Sequence, residues 1–129
     1  MVIRSLMHKL LAAFLIGAFV LNAQNTPSTH TITVTFDYDF TVTPACAPKV
    51  TKKCVKQFNI YDISPGIAKR VKIGSIPVPE DARGLVKGIS GKTEPFLFDP
   101  GRHRLAVSAQ MPDGTESDLR RCITIVEIP

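Results

Sequence analysis

Alternation of apolar and polar residues constrains this chain more than any other feature of its sequence. Between residues 31 and 40, apolar or aromatic side chains occupy every second position: Ile32, Val34, Phe36, Tyr38 and Phe40. Threonine and aspartate fill the positions between them. A period of two, in a segment rich in β-branched and aromatic residues, is typical of a strand with one buried face. No comparable helical period follows residue 25, so the sequence predicts an all-β fold.

The same alternation recurs in shorter segments that turn-forming residues separate. Further strands are predicted at residues 55–63, 70–76, 85–89, 95–98, 102–109 and 119–128. The last two flank Asp113-Gly114, a dipeptide favoured in hairpins, and we expect them to pair in antiparallel fashion. Each strand has one apolar face, and burying those faces requires two sheets packed together. The predicted fold is an antiparallel two-sheet sandwich.

The beginning of the chain differs in kind from the rest. Arg4 and Lys9 precede an uncharged apolar run of 12 residues at 10–21, and Ala23 precedes a polar stretch. Such a run suits the core of a signal peptide but is shorter than the roughly 20 residues of a membrane span. The sequence therefore predicts a signal peptide at residues 1–23 and one sandwich domain at 24–129, secreted or periplasmic, or held in the cell envelope. The alternative is a leader that is retained as a membrane anchor.

Charge and motifs narrow the classes of function. The chain has 16 Lys and Arg against 11 Asp and Glu, and a net charge of +5. Because the leader carries two of the basic residues, the mature domain is only weakly basic, which does not indicate nucleic-acid binding. The sequence contains no phosphate-binding loop, dinucleotide fingerprint or nucleophile elbow, and no evident set of nucleophile, histidine and acid. We predict a protein that is not an enzyme and uses no cofactor, with a small hydrolase or hydrolase inhibitor as the alternative.

Two cysteines define a short loop between the first two strands. Cys46 and Cys54 enclose seven residues, and in an exported chain a disulfide between them is the expected outcome. The bond would stiffen a segment that carries Lys49, Lys52 and Lys53. A stiff loop loses less entropy on binding, so these lysines are the predicted contact residues. The alternative is a structural staple whose lysines serve solubility.

The third cysteine, Cys122, alternates with apolar residues in the last predicted strand. We expect a small buried thiol there. An intermolecular disulfide, or a bond with one of the first two cysteines, is the alternative. The three cysteines include no Cys-x-x-Cys pair and have no companion histidine at the usual spacing, so no metal site is predicted.

Residues 101–117, GRHRLAVSAQMPDGTES, resemble the penultimate strand and following loop of fibronectin type III and related immunoglobulin-like modules. Leu105, Val107 and Ala109 stand at the alternate core positions of that strand, and residues 114–117 fit its loop. The segment ITVTFDYDF looks like the second strand of the family, and QFNIYDI looks like the third.

The chain departs from the family pattern at two positions. Where the family usually has a core tryptophan, this chain offers Phe36 or Tyr38, and His103 replaces the usual corner tyrosine. The resemblance implies a binding or structural module that recognises its partner through loops at one end of the sandwich. The expected partner is a protein or glycan at a cell surface, anionic if the loop lysines make the contact. A membrane is a partner only if the leader is retained.

Overall fold

The structure is a computed structural model that describes residues 2–9 and 26–129. Within these residues the chain forms eight strands: β1 (Val2–Lys9), β2 (Ser28–Asp39), β3 (Gln57–Asp62), β4 (Val71–Pro77), β5 (Leu85–Lys92), β6 (Phe96–Phe98), β7 (Gly101–Gln110) and β8 (Ile123–Ile128). Short 3-10 turns lie at Ile67–Lys69 and Leu119–Arg121. None of the helical segments in this part of the chain has the length and hydrophobicity to cross a membrane.

The strands form two antiparallel sheets. The first has the order β1-β2-β5, and β6 also pairs with β2 beyond the end of β5. The second has the order β4-β3-β7-β8. Buried apolar residues from both sheets form one continuous core. The predicted all-β, two-sheet antiparallel sandwich is therefore confirmed.

The first strand comes from a segment that the sequence analysis assigns to the leader. β1 pairs with β2 in antiparallel register, from Val2 opposite Asp37 to Lys9 opposite Thr31. The apolar run at residues 10–21 and the predicted cleavage point after Ala23 lie outside the described residues. Cleavage of the leader therefore stays a prediction.

The antiparallel pairing of the last two strands is confirmed, but their connection is longer than a hairpin at Asp113-Gly114. The register runs from Gly101 opposite Ile128 to Ala106 opposite Ile123. Residues 111–122 fold back over the outer face of the sheet, and part of the predicted last strand is a 3-10 turn instead. The Asp118 side chain caps this turn by accepting a hydrogen bond from the backbone N–H of Arg120.

An aromatic cluster fills the space between the two sheets. The Phe36 ring from β2 meets the Phe58 ring from β3 edge to face, with centroids 4.9 Å apart. Tyr38 packs against the same Phe58 ring at 5.2 Å. Phe36 and Phe58 are completely buried, and Tyr38 is partly buried. The chain has no tryptophan, and these rings pack among the aliphatic side chains of the core.

Part of the outer face of the second sheet, on β3 and β7, is buried as well. Asn59 and Ser108 alternate with core residues, yet they are 1% and 0% exposed. The Glu116 carboxylate, from the connection between β7 and β8, accepts hydrogen bonds from both side chains and from the Tyr61 hydroxyl. Alternation alone therefore did not identify which face of this sheet meets solvent.

Gly91 of β5 faces the Ile76 side chain of β4 across the space between the two sheets. A Cβ atom on Gly91 would lie 2.8 Å from the Ile76 Cδ1 atom, and Ile76 is a fully packed core side chain. We expect Gly91→Ala to lower the free energy of unfolding by about 1–3 kcal/mol, measured by urea denaturation. Because Ile76→Ala removes the clashing atoms, the double variant should lose about 0.5–3 kcal/mol less than the sum of the single losses. Additive losses would contradict this contact.

Candidate functional site

Three loops leave the sandwich at the same end. The first residue of β3, Gln57, pairs with the last residues of both β4 and β7. In the other sheet, the last residue of β2 pairs with the first residue of β5. The loops at residues 40–56, 78–84 and 111–122 therefore lie together, at what we name the loop end.

The first of these loops is held by a covalent bond and by backbone hydrogen bonds. A disulfide joins Cys46 to Cys54, whose Cα atoms are 4.9 Å apart. The Cys46 N–H donates to the Val55 carbonyl at 3.0 Å, and the Val55 N–H donates to the Pro44 carbonyl at 2.8 Å. Lys53 adopts a φ of 48°, in the left-handed region, and turns the chain before the second cysteine. The segment between the cysteines, the disulfide loop, is therefore ordered before any partner arrives.

The three predicted contact residues, Lys49, Lys52 and Lys53, are all exposed on the disulfide loop. Among the described residues, none of the three forms an ion pair with a carboxylate. Their positive charges are consequently available to a partner. The three lysines lie on the same short loop but do not line the neighbouring groove.

A groove of about 660 Å³ opens between the disulfide loop and the β4–β5 loop. Four prolines line it, two from each side: Pro44, Pro48, Pro77 and Pro79. Their fixed backbone torsions favour stiff walls. Alanine and valine side chains extend the apolar lining, and the charged residues that line it are Lys56, Glu80, Asp81 and Arg83. The groove thus offers apolar contact together with charges of both signs.

Both walls of the groove are fastened to the sandwich. The Phe40 N–H donates to the Gly84 carbonyl at 2.7 Å, which joins the start of one loop to the end of the other. The Lys56 N–H donates to the Gln110 carbonyl at the end of β7, at 2.8 Å. The first bond links the two walls at their base and the second anchors one wall to β7, so the groove is a preformed feature of the fold.

Cys122 ends the connection between β7 and β8, next to the first residue of β8, and is a free, buried thiol. It is 1% exposed, and burial raises its pKa to about 12. Its backbone carbonyl accepts a hydrogen bond from the Val107 N–H at 3.1 Å. A neutral, enclosed thiol is a packing element and a poor nucleophile.

At the opposite end of the sandwich, His103 links three segments. Its Nδ1 atom lies 2.9 Å from Oδ2 of Asp62, and its Nε2 atom lies 2.7 Å from the backbone oxygen of Asp99. The Ser64 hydroxyl donates to Oδ1 of Asp62 at 2.6 Å. In a catalytic triad the serine contacts the histidine nitrogen that the acid leaves free. Here the Asp99 carbonyl faces that nitrogen, so the cluster closes a loop and does not align Ser64 for attack.

One wall of the groove was predicted from the sequence and the other was not. The disulfide loop was singled out through its cysteines and lysines. The β4–β5 loop was not, although its sequence PVPEDAR places two prolines and a group of charges between two predicted strands. That combination indicates a stiff, charged connection. Its position opposite the disulfide loop depends on the order of strands in the sheets, which a local sequence pattern does not determine.

No family model, curated protein or solved structure matches this chain.

Proposed function

We propose that the protein is an exported, non-catalytic binding module that recognises an acidic protein segment through its loop end. The observation that carries the proposal is the preformed groove beside the disulfide loop. Its apolar lining suits alkyl and aromatic side chains of a polypeptide better than the hydroxyl-rich surface of a glycan. The exposed lysines beside it favour carboxylates on the same partner.

Preorganisation supports recognition by this end. The disulfide, the prolines and the backbone bonds at Phe40 and Lys56 limit the conformations of both walls. A partner therefore pays little ordering entropy on this side of the interface. The lysines add long-range attraction that raises the association rate and depends on salt.

Two features support the narrower proposal that the sandwich is of fibronectin type III or immunoglobulin-like type. The order β4-β3-β7-β8 corresponds to the C′-C-F-G sheet of such modules. In these modules a corner tyrosine bonds a backbone group a few residues upstream. His103 makes the equivalent bond, from Nε2 to the carbonyl of Asp99 four residues upstream.

The proposal is tested by panning a random peptide display library against the exported protein, with a glycan array in parallel. We expect enrichment of peptides that combine acidic with apolar residues. For a synthetic peptide so selected, Lys49→Ala/Lys52→Ala/Lys53→Ala should weaken binding about three- to tenfold and flatten its salt dependence. A triple variant at exposed basic residues outside the loop end, Lys69→Ala/Lys72→Ala/Arg104→Ala, is the matched control. Equal losses for the two variants would contradict recognition by the loop end.

A second pair of variants separates the groove from the lysines. Ala47 is exposed and lines the groove, so it tolerates a longer side chain. Ala47→Glu should weaken binding of an acidic peptide more than Ala47→Lys, although both fill similar volume. Equal effects would indicate steric blocking alone. If glycans bind and no peptides are enriched, the partner is a glycan and not a protein.

A further inference from the structure

Removal of the leader would expose one edge of β2. β1 pairs with β2 over residues 31–37, and all of β1 belongs to the predicted signal peptide. On the other side, β2 is paired with β5 and β6. Loss of residues 1–23 would therefore turn β2 from a central strand into an edge strand without changing its other neighbours.

The backbone groups that this loss would uncover can be identified. The Ile32 carbonyl accepts from the Thr93 N–H, and the Ile32 N–H donates to the Thr93 hydroxyl, so both Ile32 groups point toward the β5 side. Successive residues of a strand direct these groups to alternate sides. The N–H and C=O groups of Thr31, Thr33 and Thr35 therefore point toward β1. Without β1 they form a row of hydrogen-bonding groups along one edge of the sheet.

The sequence of β2 is not that of a protected edge. Strands at sheet edges usually carry lysine, proline or a bulge that prevents pairing with another chain. β5 has Lys87 and Lys92, β4 has Lys72 and ends at Pro77, and β8 carries an exposed Glu127. The twelve residues of β2 include no lysine, arginine, proline or glycine. β2 has the composition of a strand that pairs on both sides.

A second copy of β2 fits this edge. In an antiparallel pairing centred on Val34, Ile32 lies opposite Phe36 of the other copy and Thr33 lies opposite Thr35, so the inner apolar face continues across the pair. Asp37 lies opposite Thr31, and no two acidic residues face each other directly. The register of β1 shows that this edge accepts an antiparallel strand over residues 31–37. An antiparallel pair of identical strands is also the symmetry of a closed dimer.

We infer that the processed protein is a symmetric dimer in which the β2 edges of two copies pair and join their first sheets into one. The inference rests on the processing that the proposed function includes. It does not depend on the loop end, because the edge runs along the side of the sandwich. Each dimer therefore presents two loop ends, which gives a partner with repeated acidic segments an avidity advantage.

The test uses residues 1–129 expressed in a bacterial export host, with the product purified and its intact mass determined. We expect a chain that begins after Ala23 and that sediments at twice its monomer mass at micromolar concentration. Hydrogen exchange read by NMR should show slow exchange of the Thr31, Thr33 and Thr35 amides that becomes fast on dilution. The Val34 amide, which faces β5, should stay slow throughout.

A lysine on the edge should separate the copies without unfolding them. Thr33→Lys places a positive charge from each copy near the dimer axis, and we expect the dimer to weaken at least tenfold. Ser90→Lys puts the same charge on the exposed face of the neighbouring strand, away from the edge, and should leave the dimer intact. A processed chain that is monomeric, or a dimer equally sensitive to both variants, overturns the inference alone. An intact N-terminus overturns both the inference and the proposed processing.

Discussion

Replacing Glu116 with alanine is expected to lower the free energy of unfolding by about 3–5 kcal/mol. Its carboxylate accepts hydrogen bonds from Ser108 Oγ at 2.6 Å, Asn59 Nδ2 at 2.7 Å and Tyr61 Oη at 2.8 Å. Ser108 and Asn59 are almost fully buried, so water cannot readily replace the lost acceptor. The Glu116→Ala variant would leave three donors short of a partner at once. Urea denaturation of the two proteins at neutral pH measures the difference.

Two comparisons separate this effect from a general loss of charge. Glu116→Gln keeps one acceptor oxygen but introduces a donor among donors, and we expect a smaller loss of about 1–3 kcal/mol. Glu127 is exposed and pairs with Arg102 at the surface, so Glu127→Gln should change the stability by no more than about 0.5 kcal/mol. Equal losses in the two glutamine variants would contradict a special role for the buried network.

The same network makes a pH-dependent contribution to stability. Burial acts to raise the pKa of Glu116, but the hydrogen bonds from Ser108, Asn59 and Tyr61 outweigh it and hold the pKa below its ordinary value of 4.5. A carboxyl group with a lowered pKa in the folded state stabilises that state above its ordinary pKa and loses the contribution on acidification. The stability difference between wild type and Glu116→Gln should therefore be largest near neutral pH and shrink as the pH falls below about 4.5 and through the folded-state pKa.

The sequence predicted the structure of those segments whose own pattern of side chains determines their conformation. The alternation from Ile32 to Phe40 predicted β2 because a strand with one buried face requires that period. The pattern could not reveal that Asn59 and Ser108 would be buried too. Their burial depends on Glu116, which a long connection brings from more than fifty residues beyond Asn59. Contacts of that kind depend on the whole topology, which local alternation does not encode.

The candidate site divides in the same way. The spacing of Cys46 and Cys54 made the disulfide loop predictable, since an exported chain oxidises nearby thiols. The groove needs a second wall, and the β4–β5 loop reaches it only because β4 pairs with β3 in one sheet and β5 pairs with β2 in the other. The strand at residues 2–9 was not predicted, because a different local pattern was recognised there. Their basic and apolar composition matches a leader so well that no strand was predicted there.

The Cys46–Cys54 bond should stabilise the fold by an amount that depends on the small loop it closes. The cysteines are eight positions apart, and in the chain-entropy model closing such a loop contributes about 2–3 kcal/mol. We expect Cys46→Ala/Cys54→Ala to lose that stability in urea denaturation. Its affinity for a selected acidic peptide should fall as well, because the groove wall must then be ordered on binding.

Reduction of the unaltered protein tests the same bond without a substitution. A reductant should reproduce the stability loss of Cys46→Ala/Cys54→Ala, and it should have no further effect on that variant. Cys122 is buried and burial raises its pKa to about 12, so we expect it neither to exchange with the disulfide nor to react with thiol reagents in the folded state. A loss below about 0.5 kcal/mol would mean that the backbone bonds at Cys46 and Val55 already order the loop. A stability loss with unchanged peptide affinity would show that the disulfide loop is not part of the binding surface. A loop that contacts the partner must be ordered in the complex, so loosening it should lower the affinity.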